Sequence, residues 1–367
     1  MKQLLVLIFC LMVSNIQAQK KLSGKVVVAG SKMSIPSASI FLSNTSVGTI
    51  SKEDGSFTIE PFPAGRYDLV VTILGYETYT IALNSTQLPD NLIISLQPKA
   101  NVLQEVIVGN YDKNGWNKWG DFFMEMLIGK TPNALDCKLL NKNAVKFRYN
   151  KKENILTAFA DEPLKIVNNA LGFDLTYELL GFEYNYKSRV FFYQGFPLFK
   201  EKQPRNNRQK SRWILNRNET FEGSLMHFMR ALYRNNLQKD GFELRRIIKQ
   251  KTTNTSITIN GQHPVQEMDV LIDIPILGDS IAFAIDSTTA GIQFKDYLQV
   301  VYKNKKVQIG APIISRLVMP DSTKVVAILA NGSYFQGKDL LTAGYWAWSE
   351  KLSNLLPLEF KYLKLNE

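Results

Sequence analysis

Two histidines, His227 and His263, and two cysteines, Cys10 and Cys137, are all that the 367-residue chain offers to imidazole or thiol chemistry. A zinc hydrolase needs imidazole and carboxylate ligands converging on one ion, commonly two His on one helix face with a distant third ligand. Neither His fits. His227 is followed three residues later by Arg230, and His263 precedes Pro264 in a turn after Asn260-Gly261. His227 is therefore expected to pack on a helix face, and the chain is expected to hold no metal and no cofactor. A thiol enzyme would need Cys137 beside a His, but Leu135-Asp136-Cys137-Lys138-Leu139 matches no nucleophile motif. There is no Gly-x-Ser-x-Gly elbow, no phosphate-cradling Gly-rich loop and no CxxC pair. A glycosidase needs only two carboxylates, which any sequence supplies. The chain reads as non-catalytic, with an enzyme using second-domain carboxylates or Cys137 as the alternative.

Two groups of residues suit binding instead. Lys200, Lys202, Arg205, Arg208, Lys210, Arg212 and Arg217 share a segment with one acid, Glu201, and with the loop formers Pro204, Asn206 and Asn207. This reads as a basic loop able to meet anions, with Lys202, Arg205, Arg208, Lys210 and Arg212 as the contacts. A solvated connection is the plainer reading of the same residues. Tyr345, Trp346 and Trp348 form an aromatic group that could stack on sugar rings or fill a core.

The start of the chain has a targeting pattern. Lys2, an apolar run from Leu4 to Val13 and Ala18 before Gln19 read as a secretory signal peptide cleaved after residue 18. The run is too short to span a bilayer, which takes roughly 20 helical residues. Its removal would leave Cys137 alone, so no intramolecular disulfide is expected and the fold must rest on its apolar core. The composition, 45% hydrophobic and 11% aromatic, is that of a folded chain. The net charge of +11 suits anionic partners. For an exported chain these would be an envelope protein, anionic lipid headgroups or glycans rather than nucleic acid, with any membrane association peripheral.

From Leu22 to Leu96, short β-branched or aromatic runs alternate with turn residues every 8 to 12 positions. The runs are 22–28, 38–42, 47–51, 56–60, 67–74, 78–83 and 91–96, enough for two packed sheets. Asp54-Gly55 is a hairpin pair, and Gly65 and Gly75 end later strands. Gly24-Lys25-Val26, Ile35-Pro36-Ser37-Ala38-Ser39-Ile40, Gly48-Thr49, Asp54-Gly55-Ser56-Phe57, Gly65-Arg66-Tyr67-Asp68-Leu69 and Gly75-Tyr76 occur in order and in register. Together they resemble the carboxypeptidase regulatory-like domain, a transthyretin-like sandwich found in exported proteins of Gram-negative bacteria. The resemblance implies a non-catalytic packing or interaction module, with Ile40, Phe57, Leu69 and Val71 facing its core.

Asn101 to Gly109 resembles the segment that follows this domain in TonB-dependent outer-membrane transporters, although too few residues follow for their plug and barrel. The expected organisation is a signal peptide at 1–18, the sandwich at 19–98, a connection at 99–118 and an α+β domain at 119–367. In that last region, helices are expected from Asp121 to Ile128, from Asp161-Glu162-Pro163 to Leu171, from Glu219 to Asn235 and near 347–355. Hairpins are expected at 144–149 with 155–159 and at 173–184 with 189–199, and strands dominate after Phe242. The segment Gly223 to Leu232 and Leu355-Leu356-Pro357 resemble uncharacterised bacterial proteins that join such a sandwich to a mixed domain. The functional expectation is an exported cell-envelope protein, periplasmic or outer-membrane associated, whose sandwich docks and whose second domain binds. An accessory role in outer-membrane transport is a further alternative.

Overall fold

The computed structural model describes residues 20–99, 111–253, 265–306, 312–335 and 337–363. The signal-peptide reading at 1–18 and the transporter-like stretch 101–109 lie outside the described residues. The chain divides into two compact units, residues 1–43 with 47–100, and residues 44–46 with 101–367.

The first unit is a seven-stranded β-sandwich. One sheet has the order β4-β1-β7, built from β1 (Leu22–Val28), β4 (Ser56–Ile59) and β7 (Leu92–Leu96). The other has the order β3-β2-β5-β6, from β2 (Ser39–Leu42), β3 (Gly48–Ile50), β5 (Arg66–Thr72) and β6 (Tyr79–Asn84). β-branched residues alternate along these strands, so one face of each sheet becomes apolar and the two faces close on each other. Ile40, Phe57, Leu69 and Val71 are all buried there, as expected. Gly55 turns at φ +77°, and a Cβ added to it would lie 2.5 Å from the Val26 carbonyl oxygen, so the hairpin needs glycine.

The second unit mixes helices and strands. Its first sheet is six-stranded, with β8 (Cys137–Leu139), β9 (Val145–Asn150), β10 (Ile155–Ala160), β11 (Leu164–Asn168), β12 (Phe173–Asn185) and β13 (Val190–Glu201). Both expected hairpins are present, as β9 with β10 and β12 with β13. Helix α1 (Gly115–Leu127) begins earlier than Asp121 and packs Phe123 and Leu127 into this sheet's core.

Three expectations need correction. The residues after Asp161-Glu162-Pro163 form β11, not a helix. Leu164, Ile166 and Asn168 are buried while Lys165 is exposed, a period-two pattern, and β11 is paired on both sides by β8 and β12. Tertiary pairing overrides the local capping signal. Second, the basic segment expected as a loop is largely helical, as α2 (Asn207–Phe221). Third, the helix expected from Glu219 to Asn235 is broken. Gly223, at φ +75°, ends α2 and the Ser224 hydroxyl caps α3 (Leu225–Tyr233) by accepting from the His227 N–H at 3.1 Å.

Strands dominate from Phe242, as expected. A five-stranded antiparallel sheet has the order β15-β14-β18-β19-β21, comprising β14 (Phe242–Thr253), β15 (Val265–Ile276), β18 (Tyr297–Lys306), β19 (Pro312–Val318) and β21 (Leu341–Gly344). A three-stranded sheet joins β16 (Ala282–Ala284), β17 (Thr289–Ile292) and β20 (Val326–Leu329). α3 lies at the centre of the core that these strands enclose, with Phe228, Met229 and Ala231 fully buried. A short helix, α4 (Tyr345–Ser349), follows β21.

Candidate functional site

The basic segment is built by the end of β13 and by α2. The Asn206 side chain caps α2, accepting from the Gln209 N–H at 2.9 Å. Trp213 and Phe221 anchor its inner side in the unit, and the Trp213 indole N–H donates to the Asn169 carbonyl at 2.8 Å. The expected loop is confined to 202–206, where Lys202 and Arg205 lie, whereas Arg208, Lys210 and Arg212 stand on α2, because Asn206 serves as a cap and aromatic anchors recur at helical spacing.

The structure divides those five cations into two kinds. Lys202 Nζ donates to Asn169 Oδ1 at 2.8 Å and lies 3.6 Å from Asp174. Arg212 Nη2 reaches Asp136 Oδ2 at 3.1 Å while its side chain stays mostly exposed. Nearby Arg217 is fully committed, donating to the Leu171 carbonyl at 2.7 Å and to Glu201, with its guanidinium 4.0 Å above the Phe173 ring. By contrast, the exposed side chains of Arg205, Arg208 and Lys210 make no ion pair or hydrogen bond with the described residues. No acid occupies the first turn of α2 to balance them.

The aromatic group does not stay together as a surface. Trp346 is 1% exposed, packed on Phe228, with its indole N–H donating to the Gly223 carbonyl at 2.8 Å. It is a core residue, because an indole buried with its N–H satisfied stabilises the start of α3. Tyr345 is partly buried against the same core, and Trp348 is exposed beside it, with ring centroids 5.4 Å apart.

A cluster not anticipated from the sequence surrounds the start of α3. Glu350 accepts from the Leu225 N–H at 3.2 Å, and burial pushes its carboxyl up to about 7. The same burial raises Tyr193 and Tyr334, while desolvation lowers Lys351, whose ammonium lies 4.6 Å from the Phe191 ring. His227 is buried in a ring of Phe221, Phe242 and Tyr302, which pushes its imidazole down to about 4. Its Nδ1 accepts from the Gly223 N–H at 3.2 Å. Only the apolar face around His227 was visible beforehand. Glu350 lies far from α3 in sequence, so no spacing could reveal the pairing.

The thiol alternative is weakened by geometry. Cys137 is partly buried and its thiol is pushed up to about 12, first by burial and then by Asp136, so it is protonated at neutral pH. Among the described residues no group of three or more His, Cys, Asp or Glu side chains is placed to hold a metal ion. No helix among them is long and apolar enough to cross a membrane.

The sandwich, its turn glycines and its strand order set the comparison with known families. Residues 22–108 match the family model of the CarboxypepD_reg-like domain. The first unit's seven strands all lie within the matched range. A search of curated proteins finds no match. Among solved structures, the chain is similar to one from Bacteroides fragilis NCTC 9343, described as a protein of unknown function with a suggested membrane association. Identity is 9% and the TM-score is 0.18, over 86% of this chain and 91% of that one, and at that score the pair carries no argument. The CarboxypepD_reg-like domain is a β-sandwich of a regulatory, non-catalytic kind, and no enzyme family is indicated for the remainder.

Proposed function

We propose that the chain is an exported, non-catalytic binding protein of the cell envelope. In this reading the CarboxypepD_reg-like domain is an interaction module and the second unit presents an anion-binding surface on α2. One observation carries the second half. Among the described residues the side chains of Arg205, Arg208 and Lys210 have no partner, beside Lys202 and Arg217, which the fold ties to acids and carbonyls, and Arg212, whose bond to Asp136 leaves most of its side chain in solvent. Cations spent on structure are paired, whereas unpaired cations on a rigid helix remain available to a ligand. The overall charge of +11 favours the same class of partner. The signal-like residues 1–18 support export, and with it a periplasmic or outer-membrane-associated location.

The test is retention on a heparin column. The purified chain should elute at markedly higher salt than the triple variant Arg205→Ala, Arg208→Ala, Lys210→Ala, with both variants equally folded by circular dichroism. Equal elution would show that the net charge acts without a site and would sink the reading.

A further inference from the structure

The exposed face of α2 carries more than charge. Arg208, Arg212 and Leu215 follow at i, i+4 and i+7, so they stand in one row along the helix. Leu215 is 48% exposed, with no apolar partner covering that half. Ser211 and Glu219 complete the exposed side, and Glu219 is its acid, at the far end from the cations. Lys210 projects from a different side, two residues and about 200° from Arg208, and Arg205 lies before the cap. Such diverging cations cannot enclose one small anion. Arg208 and Arg212, one turn apart in the row, suit a surface that carries many negative charges.

We infer that this face of α2 docks on an anionic lipid surface, with Arg208 and Arg212 on headgroup phosphates and Leu215 seated at the boundary of the acyl region. The inference rests on the anion-binding reading above and narrows its ligand to lipid. Charge complementarity selects the partner, and the exposed leucine within the cationic row separates lipid from a soluble polyanion. A cation flanking an apolar side chain is the arrangement by which peripheral helices hold headgroups and acyl chains together. Arg205, just before the cap, is long enough to reach a neighbouring phosphate with its charged end, while Lys210 faces away from that surface. Glu219 is repelled by the same surface, so the helix tilts with its start nearer the lipid. Arg212 keeps its bond to Asp136, which holds the guanidinium in place while most of the side chain remains in solvent.

The experiment is cosedimentation of the full chain with vesicles of phosphatidylcholine alone and of phosphatidylcholine mixed with phosphatidylglycerol. Binding is expected only to the mixed vesicles, and it should weaken as salt shortens the screening length. The double variant Arg208→Ala, Arg212→Ala should bind roughly 25-fold more weakly, at about fivefold for each cation near a charged surface. Leu215→Ser should bind vesicles roughly fivefold more weakly while its heparin elution stays that of the parent chain. Equal binding to both vesicle types, binding to neither, or an unchanged Leu215→Ser would each overturn the lipid assignment. Tighter retention on immobilised polyglutamate than on the mixed vesicles would also overturn it, in favour of an acidic protein. A parent chain that is retained on heparin but binds no vesicles removes this inference alone, whereas a parent chain that binds neither removes the anion-binding reading too. Thermal unfolding of each variant, expected within a few degrees of the parent, separates these results from misfolding.

Discussion

The Glu350 carboxylate accepts a hydrogen bond from the Leu225 N–H at 3.2 Å, joining the end of α4 to the first residue of α3. One turn along, His227 accepts from the Gly223 N–H at 3.2 Å, so two titratable groups hold the same helix start. Their shifts have opposite consequences. Tyr193, Tyr334 and Tyr345 face Glu350, and Asp240, Arg234 and Arg230 face His227.

Glu350 rises from 4.5 to about 7 in the fold, so its burial is free of charge below 4.5 and stability is lost as pH climbs through 7. His227 falls from 6.5 to about 4, so its contribution is complete above 6.5 and is lost as pH drops toward 4. Across pH 4.5 to 6.5 the two slopes nearly cancel. The melting temperature of the parent chain should therefore be nearly flat in that window. Glu350→Gln should leave the histidine slope, with stability rising with pH, and His227→Gln should leave the opposite slope. Each unmasked slope should total a few kcal/mol. Scanning calorimetry at four or five pH values checks this, and parallel profiles for all three proteins would refute it.

Cys137 should be a slow nucleophile. Its Sγ–H donates to the Asn133 carbonyl at 3.3 Å, and its thiol is pushed up to about 12. Alkylation by iodoacetamide at pH 8 should proceed at least tenfold faster in denaturant than in the folded chain, because the thiolate fraction limits the rate. Equal rates, followed by mass spectrometry, would restore the thiol-enzyme alternative.

In the sandwich, Phe57 is 2% exposed and a Cβ on Gly24 would lie 2.6 Å from its ring. A fragment of residues 19–100 should fold alone by amide-proton NMR, and Phe57→Ala should destabilise it by about 3–5 kcal/mol. Gly55→Val should cost about 1–3 kcal/mol for positive φ, with a further cost for contact with the Val26 carbonyl. A disordered fragment beside a folded full chain would place these residues in a shared core.

The sandwich was legible because each of its strands is bounded by its own turn residues, and alternation alone assigns Ile40, Phe57 and Leu69 to the inside. The second unit was legible where pairing is local, as in the β9–β10 hairpin, and illegible where distant segments decide. Pro163 follows two acids and looks like a helix start, yet pairing of β11 with β8 and β12 fixes it as strand. The break at Gly223-Ser224 did have a local signal, a glycine followed by a good cap, hidden within an unbroken apolar period. In α2, Asn206 and Asn207 read equally well as loop or cap, and only the burial of Trp213 decides. Trp346 is buried because Gly223 offers its carbonyl, a relation across more than a hundred residues that composition cannot show.

Arg230 ties two separate stretches to α3 through three carbonyls. Its Nε donates to the Asn331 carbonyl at 2.8 Å, its Nη1 to the Phe360 carbonyl at 2.9 Å and its Nη2 to the Leu358 carbonyl at 3.0 Å. The guanidinium also lies 5.3 Å from the Phe221 ring. A planar fork can reach all three carbonyls at once, whereas the compact ammonium of a lysine ends short of the fork's outer nitrogens and reaches at most one or two of them. Arg230→Lys should therefore keep the charge and lose about 2–4 kcal/mol of stability, since each lost bond from a charged donor leaves a partly buried carbonyl unpaired. The damage should be local first. Leu358 and Phe360 lie close to the end of the described chain, so in Arg230→Lys the segment after Pro357 should detach before the core melts. Limited proteolysis should cleave the variant there at protease levels that spare the parent, and hydrogen exchange should show faster exchange in 358–363 with α3 unchanged. Global unfolding without earlier cleavage would show that Arg230 supports the core directly rather than clamping this segment.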